Sequence, residues 1–120
     1  MTTHPKSEDI FIETLNRILE KNLADSSFSV TRLTRLIGMS RTDFHRKIIN
    51  RTGFSATAYI RQIRVQRAGE LLLKHPDWDI CDVAFEVGFN TPGYFSRVFK
   101  DIKGVGPAKY RDAKSAMHGF

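Results

Sequence analysis

The sequence is poor in residues that build covalent or metal-bound sites. It has one cysteine, Cys81, among 120 residues, which excludes an internal disulfide and fits a reducing compartment. Because Cys81 falls within a predicted helix, we expect a buried, unreactive thiol. The four histidines lack the spacing that would gather three zinc ligands, and the sequence has neither a phosphate-cradling glycine loop nor a recognisable nucleophile motif. We therefore expect no catalytic residues, metal or cofactor, and no enzymatic activity.

Long apolar runs are missing as well. No stretch approaches the length that spans a membrane, and the start of the chain shows no signal peptide, so we expect a cytoplasmic chain with no membrane partner. The hydrophobic content of 41% and the charged content of 27% are ordinary for a globular chain. A length of 120 residues indicates one domain with a core large enough to fold unaided.

Acidic residues are scarce in one part of the chain. The net charge is +6, but residues 26–76 contain ten Lys or Arg residues against only Asp43 and Glu70. Such a concentration of positive charge is the electrostatic footprint of a nucleic-acid binder, although basic solvated faces are common and the signal is weak alone.

The chain contains two copies of one unit, residues 30–59 and 80–110. The residues that match at an offset of 50 are Val30 with Ile80, Leu33 with Val83, Thr34 with Ala84, Ile37 with Val87 and Gly38 with Gly88. After one inserted residue the matches are Phe44 with Phe95, Arg46 with Arg97, Ile48 with Phe99, Gly53 with Gly104 and Tyr59 with Tyr110. Self-similarity at fixed spacing indicates a structural repeat.

Each copy has the composition of a helix, a tight turn and a second helix. In the first copy Ser29 and Ser40 are predicted helix caps, and Gly38 supplies the turn between the two helices. In the second copy Asp79 and Thr91 take the capping positions. Two short helices separated by a glycine turn are typical of helix-turn-helix units.

We expect an all-α fold of seven helices, with the two units joined by a central linker helix over 55–74. The helices are predicted near residues 8–23, 29–37, 41–51, 56–74, 80–87, 92–102 and 107–113. The first helix-turn-helix then spans 29–51 and the second spans 79–103, within a domain of residues 8–113. Residues 1–7 are predicted to be a disordered lead-in and residues 114–120 a frayed tail.

The run ICDVAFEVGFNTPGYFSRVFKDIKGVGPAKYR, residues 80–111, resembles the C-terminal signature of AraC/XylS-type transcription regulators. Its specific pieces are I-x-x-V-A-x-x-V-G-F, Y-F-S-R-x-F-K and G-x-x-P-x-x-Y-R. The first copy resembles the other helix-turn-helix of the same family. The resemblance implies sequence-specific binding of double-stranded DNA in the major groove to regulate transcription, as an activator, with RNA polymerase as a partner and no small-molecule ligand in this domain.

The resemblance also implies which side chains contact DNA. The base-reading positions of the family fall on Thr42, His45, Arg46, Pro92, Gly93, Ser96 and Arg97. We expect phosphate contacts from Thr31, Arg41, Lys47, Thr91 and Lys100. Pro92 and Gly93 depart from the pattern, because neither side chain can hydrogen-bond a base. The second helix is therefore expected to read bases through Ser96 and Arg97 and to contact phosphates through its N-terminal amides.

Two alternatives remain open. A protein-interaction module without specific DNA binding would use the apolar helices, whereas a DNA-repair alkyl transferase would need more cysteines than Cys81 alone. The acidic first helix followed by NLADSSFSV resembles the output domain of hybrid two-component regulators, which would make the chain a fragment. A small stand-alone regulator is the rival interpretation.

We also expect both units to read one face of the duplex, because a 20-residue linker helix is roughly 30 Å long and successive major-groove faces lie about 34–36 Å apart.

Overall fold

The computed structural model describes the backbone of residues 7–118 and the side chains of residues 10–114. Seven helices follow one another: α1 (Ser7–Asn22), α2 (Val30–Ile37), α3 (Arg41–Thr52), α4 (Ala56–Lys74), α5 (Ile80–Glu86), α6 (Pro92–Lys103) and α7 (Pro107–His118). Residues 7–118 contain no β-strand. The expected all-α fold is confirmed, and apart from the end of α7 each helix begins and ends within one residue of its predicted position.

The two ends of the chain differ from expectation where they are described. Ser7 is the first residue of α1 rather than the last of a lead-in, while residues 1–6 and 119–120 lie outside the described residues. Helix α7 continues to His118, so that the predicted frayed tail is helical over residues 114–118. The segment KSAMH contains neither glycine nor proline, and Lys, Ala and Met favour helices. Gly119 is the first residue after α7 that disfavours a helix.

Two compact units make up the described chain. The first contains residues 7–22 and 28–60, and the second contains residues 23–27 and 61–118. Helix α4 begins in the first unit and runs without a break into the second. Each unit holds one helix-turn-helix, which is α2–α3 in the first unit and α5–α6 in the second.

Helix α1 completes the core of the first unit. Its side chains Leu15 and Leu19 are fully buried, and the rings of Phe11 and Phe44 meet with their centroids 5.9 Å apart. The Tyr59 hydroxyl donates a 2.6 Å hydrogen bond to the Oδ1 atom of Asn16, which holds the start of α4 against α1. Burial raises the pKa of the Tyr59 phenol, and the Asn16 bond opposes that shift. Helix α1 therefore packs on the first helix-turn-helix.

The second unit has a continuous apolar core drawn from α4, α5 and α6. Its buried members are Val65, Ala68, Leu71, Leu72, Val83, Ala84, Val87, Phe89, Phe95, Val98 and Phe99. Trp78 is partly buried against this core, as expected of a residue that covers its edge. From α7, Tyr110 packs edge-on against Phe99 at 5.2 Å.

Helix α7 also closes the C-terminal end of α4. The Arg111 side chain donates from Nε to the Leu72 carbonyl at 2.9 Å and from Nη2 to the His75 carbonyl at 3.2 Å. Carbonyl groups at a helix end have no partner within the helix, so a cation that donates to them stabilises that end. The Y-R pair of the sequence signature therefore has a structural role in the second unit.

In the part of the chain that the structure describes, no helix is both long enough and apolar enough to cross a membrane.

Candidate nucleic-acid interface

The first helix-turn-helix is fixed by its caps and its glycine turn. The hydroxyl of Ser29 accepts from the Arg32 backbone N–H at 3.2 Å, and that of Ser40 accepts from the Asp43 N–H at 3.1 Å. Gly38 lies between the two helices with φ of 77°, a left-handed conformation that glycine adopts without steric cost. The two capping serines and the turn glycine therefore lie at the ends of these two helices, as predicted from the sequence.

Helix α3 has a buried face and an exposed face. Phe44 and Ile48 are fully buried, whereas Thr42, His45 and Arg46 are exposed. Residues three and four apart share one helix face, so the three predicted base readers lie side by side. The core residues on the opposite side orient that face toward solvent.

An open groove extends the exposed face beyond the predicted residues. Its lining includes Thr42, His45 and Arg46, and also Ile49 and Asn50 from the second half of α3. Ile49 is 43% exposed, so an apolar side chain lies on this face beside the polar ones. Ile49 and Asn50 are not among the DNA contacts predicted from the sequence. They follow Thr42 by seven and eight residues, a spacing that places them on the same helix face.

The three predicted phosphate contacts of the first unit lie in different surroundings. Arg41 Nη1 donates to the Thr31 hydroxyl at 3.0 Å, which brings two of these side chains together where α2 and α3 begin. Lys47 is half-buried, with its Nζ atom 5.0 Å from the centre of the Phe11 ring. The structure therefore groups Arg41 with Thr31 and places Lys47 against α1.

The second helix-turn-helix uses different caps for the same geometry. The Asp82 carboxylate accepts from the Asp79 backbone N–H at 3.2 Å at the start of α5. At the start of α6, the Thr91 hydroxyl accepts from the Tyr94 N–H at 3.3 Å, and Pro92 is the first helical residue. The Thr91 oxygen accepts this capping bond, which leaves the hydroxyl proton able to donate to another group.

Helix α6 presents a less polar face than α3. Gly93 and Arg97 are exposed, whereas Pro92 and Ser96 are half-buried. Phe95 and Phe99 are fully buried on the other side. Tyr94, which is not among the predicted DNA contacts, is 44% exposed and lies one helical turn before Arg97.

Lys100 continues the exposed side of α6. It is exposed and lines a second groove together with Ser96, Gly104 and Lys109. The groove carries positive charge from both lysines, which agrees with the predicted phosphate contact at Lys100. Ser96 and Lys100 are four residues apart and therefore share one side of α6.

Arg64 is a buried cation behind the second turn. Only 7% of it is exposed; its Nη1 donates to the Gly88 carbonyl, and its Nη2 donates to the Asp25 carbonyl at 3.1 Å. Burial lowers the pKa of the guanidinium, and the charge of Asp25 opposes that shift. An arginine remains protonated in proteins, so these contacts keep a positive charge inside the second unit. Arg64 is not among the functional residues predicted from the sequence.

Cys81 is exposed, which contradicts the expectation of a buried thiol. The buried residues of α5 are Val83 and Ala84, and the half-buried Ile80 lies one turn before them on the same side. Cys81 is one residue further along the helix from Ile80, so its side chain lies roughly 100° away from that apolar stripe. Among the described residues, no group of three or more His, Cys, Asp or Glu side chains could hold a metal ion.

Comparisons with known proteins agree with this geometry. A family model described as a helix-turn-helix domain matches residues 33–113. Histidine kinase P4 of Formosa agariphila is 33% identical over 99 residues, which are 82% of this chain and 7% of the kinase. The chain spans well under half the length of the curated relatives that it matches.

Two solved structures have a similar fold. The DNA-binding domain of AdpA, a global transcriptional factor solved in complex with a target DNA, has a TM-score of 0.79 and 28% identity; the match covers 88% of this chain and 94% of that domain. The C-terminal domain of AraT, a response regulator from Geobacillus stearothermophilus, has a TM-score of 0.78 and 26% identity over 92% of this chain and 88% of that domain.

Proposed function

The chain belongs to the AraC-type helix-turn-helix family of DNA-binding transcription regulators, and from this premise we propose that it reads a specific sequence in the major groove of double-stranded DNA. It acts as a DNA-binding module and not as an enzyme. We infer that it works in the cytoplasm, with RNA polymerase as its protein partner.

The observation that carries the proposal is the exposed face of α3. Thr42, His45 and Arg46 lie together in an open groove, on a helix whose other side is held by Phe44 and Ile48. Hydroxyl, imidazole and guanidinium groups hydrogen-bond to base edges, and arginine pairs with both acceptors of guanine in the major groove. A rigid helix that aligns these groups is suited to sequence readout.

Beside these base readers lies a pair of groups suited to the DNA backbone. The Thr31 hydroxyl and the Arg41 guanidinium are already joined by a 3.0 Å hydrogen bond, and both are exposed. Contacts to phosphate fix the register of a protein on the duplex, while contacts to bases carry sequence information. We assign Arg41 and Thr31 to the first role, together with Lys47, Thr91 and Lys100.

In the second unit, the base-reading role falls on Arg97 and Ser96. Pro92 and Gly93 carry no side-chain donor or acceptor, so the start of α6 offers DNA its backbone N–H groups and the Thr91 hydroxyl. Of the four positions on α6, Ser96 and Arg97 therefore read bases through their side chains. Pro92 and Gly93 allow the backbone of α6 to approach the DNA closely.

We propose further that the chain is the output part of a larger two-component regulator. The support is its match to a short part of a histidine kinase and its similarity to the C-terminal domain of a response regulator. In that arrangement the signal is received elsewhere in the larger protein, and this domain needs no small-molecule ligand.

Selection of bound sequences from a random pool of DNA duplexes tests the proposal. We expect a defined sequence to be enriched, and titrations of that duplex at 50 and 200 mM salt should show affinity falling steeply as salt rises. The three cations among the proposed phosphate contacts, Arg41, Lys47 and Lys100, predict a loss of about 40-fold in affinity over this range. A scrambled duplex of the same length is the control, and it should bind more weakly at both salt concentrations.

Each other outcome has a distinct meaning. Salt-dependent binding without an enriched sequence would show that the chain binds DNA without sequence specificity. A chain that binds no duplex at either salt concentration would contradict DNA binding altogether and favour the protein-interaction alternative.

A further inference from the structure

We propose that Tyr94 is a specificity-determining residue that reads a thymine methyl group beside the guanine read by Arg97. This inference rests on the proposed function and deepens it for the second unit. Its starting point is that Pro92 and Gly93, the two residues before Tyr94, have no side chain that can select a base.

The Tyr94 ring is exposed and yet held in place. It is 44% exposed, and its ring centroid lies 5.8 Å from that of Phe89, which is 5% exposed and part of the core. The Tyr94 backbone N–H is bonded to the Thr91 hydroxyl cap at 3.3 Å. The backbone of Tyr94 is therefore held by the cap and its ring rests against Phe89, although much of the ring surface faces solvent.

The same ring carries the guanidinium of Arg97. The Arg97 Cζ atom lies 5.6 Å from the centre of the Tyr94 ring, within the range of a cation–π interaction. Residues three apart face the same side of a helix, so the ring and the cation form one continuous surface on α6. Tyr94 restricts where Arg97 can point before any DNA is present.

The chemistry of that surface identifies the bases that suit it. The guanidinium fork matches the O6 and N7 acceptors of guanine, and an apolar surface beside it matches the C5-methyl group that thymine alone presents in the major groove. The Tyr94 side chain has only two torsions, so burying its ring against DNA costs little conformational entropy. We infer that the second unit selects a thymine adjacent to a guanine.

The corresponding position in the first copy is Asp43, which matches Tyr94 at the offset of 51. A carboxylate accepts from bases and offers no apolar surface to a methyl group. The two units therefore differ in readout at this position, although Arg46 and Arg97 are equivalent.

Deoxyuridine provides a direct test, because it lacks only the thymine methyl group. Each thymine of the selected site is replaced in turn by deoxyuridine, and affinity is measured for the wild type, Tyr94→Ala and Tyr94→Phe. We expect one thymine next to a guanine at which the wild type loses about fourfold in affinity, as expected for one buried methyl group. Tyr94→Phe should show the same loss, and Tyr94→Ala should bind both duplexes equally.

The fold control is urea unfolding followed by circular dichroism. Tyr94→Ala should keep the full helical signal and a cooperative transition, and it should also keep the wild-type base preferences of the block read by the first unit. If Tyr94→Ala retains the same thymine-to-deoxyuridine ratio as the wild type at every position, the proposal is wrong. If the wild type selects no sequence at all, it is the proposed function that fails.

Discussion

Arg64 and Gly88 are joined inside the second unit by a hydrogen bond from the guanidinium to the backbone carbonyl. The bond connects the middle of α4 to the turn that separates α5 from α6. A second donor of Arg64 reaches the Asp25 carbonyl, so one side chain ties together three segments that are distant in sequence. A buried arginine thus sets the position of the turn before the second recognition helix.

Replacing Arg64 with alanine should destabilise the protein. The change removes two charge-assisted hydrogen bonds and leaves two carbonyl groups without their partner, a loss of about 2–4 kcal/mol in the free energy of unfolding. Urea denaturation followed by circular dichroism measures it. Arg67→Ala is the matched control on the same helix, because Arg67 is exposed and its 3.1 Å pair with Glu70 contributes at most about 0.5 kcal/mol. Equal losses in the two variants would contradict a structural role for Arg64.

The two turn glycines should respond differently to alanine. Both have positive φ, 77° at Gly38 and 92° at Gly88, which costs an alanine about 1–2 kcal/mol. A Cβ atom at Gly38 meets nothing within 4 Å, whereas one at Gly88 would overlap Arg64 Nη1 and the Leu23 carbonyl. We therefore expect Gly88→Ala to cost about 2–5 kcal/mol in thermal or urea unfolding. If Gly88→Ala lowers the free energy of unfolding less than Gly38→Ala does, Arg64 and Leu23 can move aside for the added methyl group at little cost.

Replacing Arg46 with alanine should relax sequence preference at one base pair. We expect a loss of about 1–3 kcal/mol on the selected duplex and a smaller loss on a duplex changed at that pair. Lys47→Ala is the matched variant from the same helix, since a phosphate contact weakens binding equally on all sequences. Competition assays with single-base variants of the site separate the two patterns. If Arg46→Ala also weakens every duplex to the same extent, Arg46 contacts phosphate.

The same experiment applies to Arg97 in the second unit. Arg97→Ala should abolish the preference for one guanine while leaving preferences in the block read by α3 unchanged. Lys100→Ala, one turn further along α6, should lower affinity uniformly and reduce the salt dependence by about one phosphate. If Arg97→Ala loses no base preference, the second unit does not read a base through Arg97.

Insertion of five base pairs between the two blocks of a selected site tests whether both units read DNA at once. The insertion turns one block to the opposite face of the duplex, because one helical turn takes 10–10.5 base pairs. We expect the lengthened site to bind as weakly as a duplex with one block alone. Five base pairs added outside the two blocks are the control for added length. Affinity that survives the five-base-pair insertion would assign specificity to the first unit alone.

Much of the fold was predictable from the sequence because its signals are local. Capping residues such as Ser29, Ser40 and Thr91 act on backbone groups within three residues, so helix starts follow from short stretches of sequence. The spacing of Phe44 and Ile48 predicts the buried side of α3 and, by difference, the exposed side that holds Arg46. The exposed side of α3 was therefore predicted apart from Ile49 and Asn50, while its role in reading DNA stays a prediction.

The sequence alone determined the seven helices, the repeat and the family, because each depends on periodicity and short-range spacing. Only the tertiary structure decided the burial of Arg64, the exposure of Cys81 and the contact of Tyr94 with Phe89 and Arg97. Arg64 finds its carbonyl partners 24 and 39 residues away, and no local pattern specifies such a pairing. Whether a side chain is buried, exposed or held against a neighbour depends on how distant segments pack, which spacing along one helix does not encode.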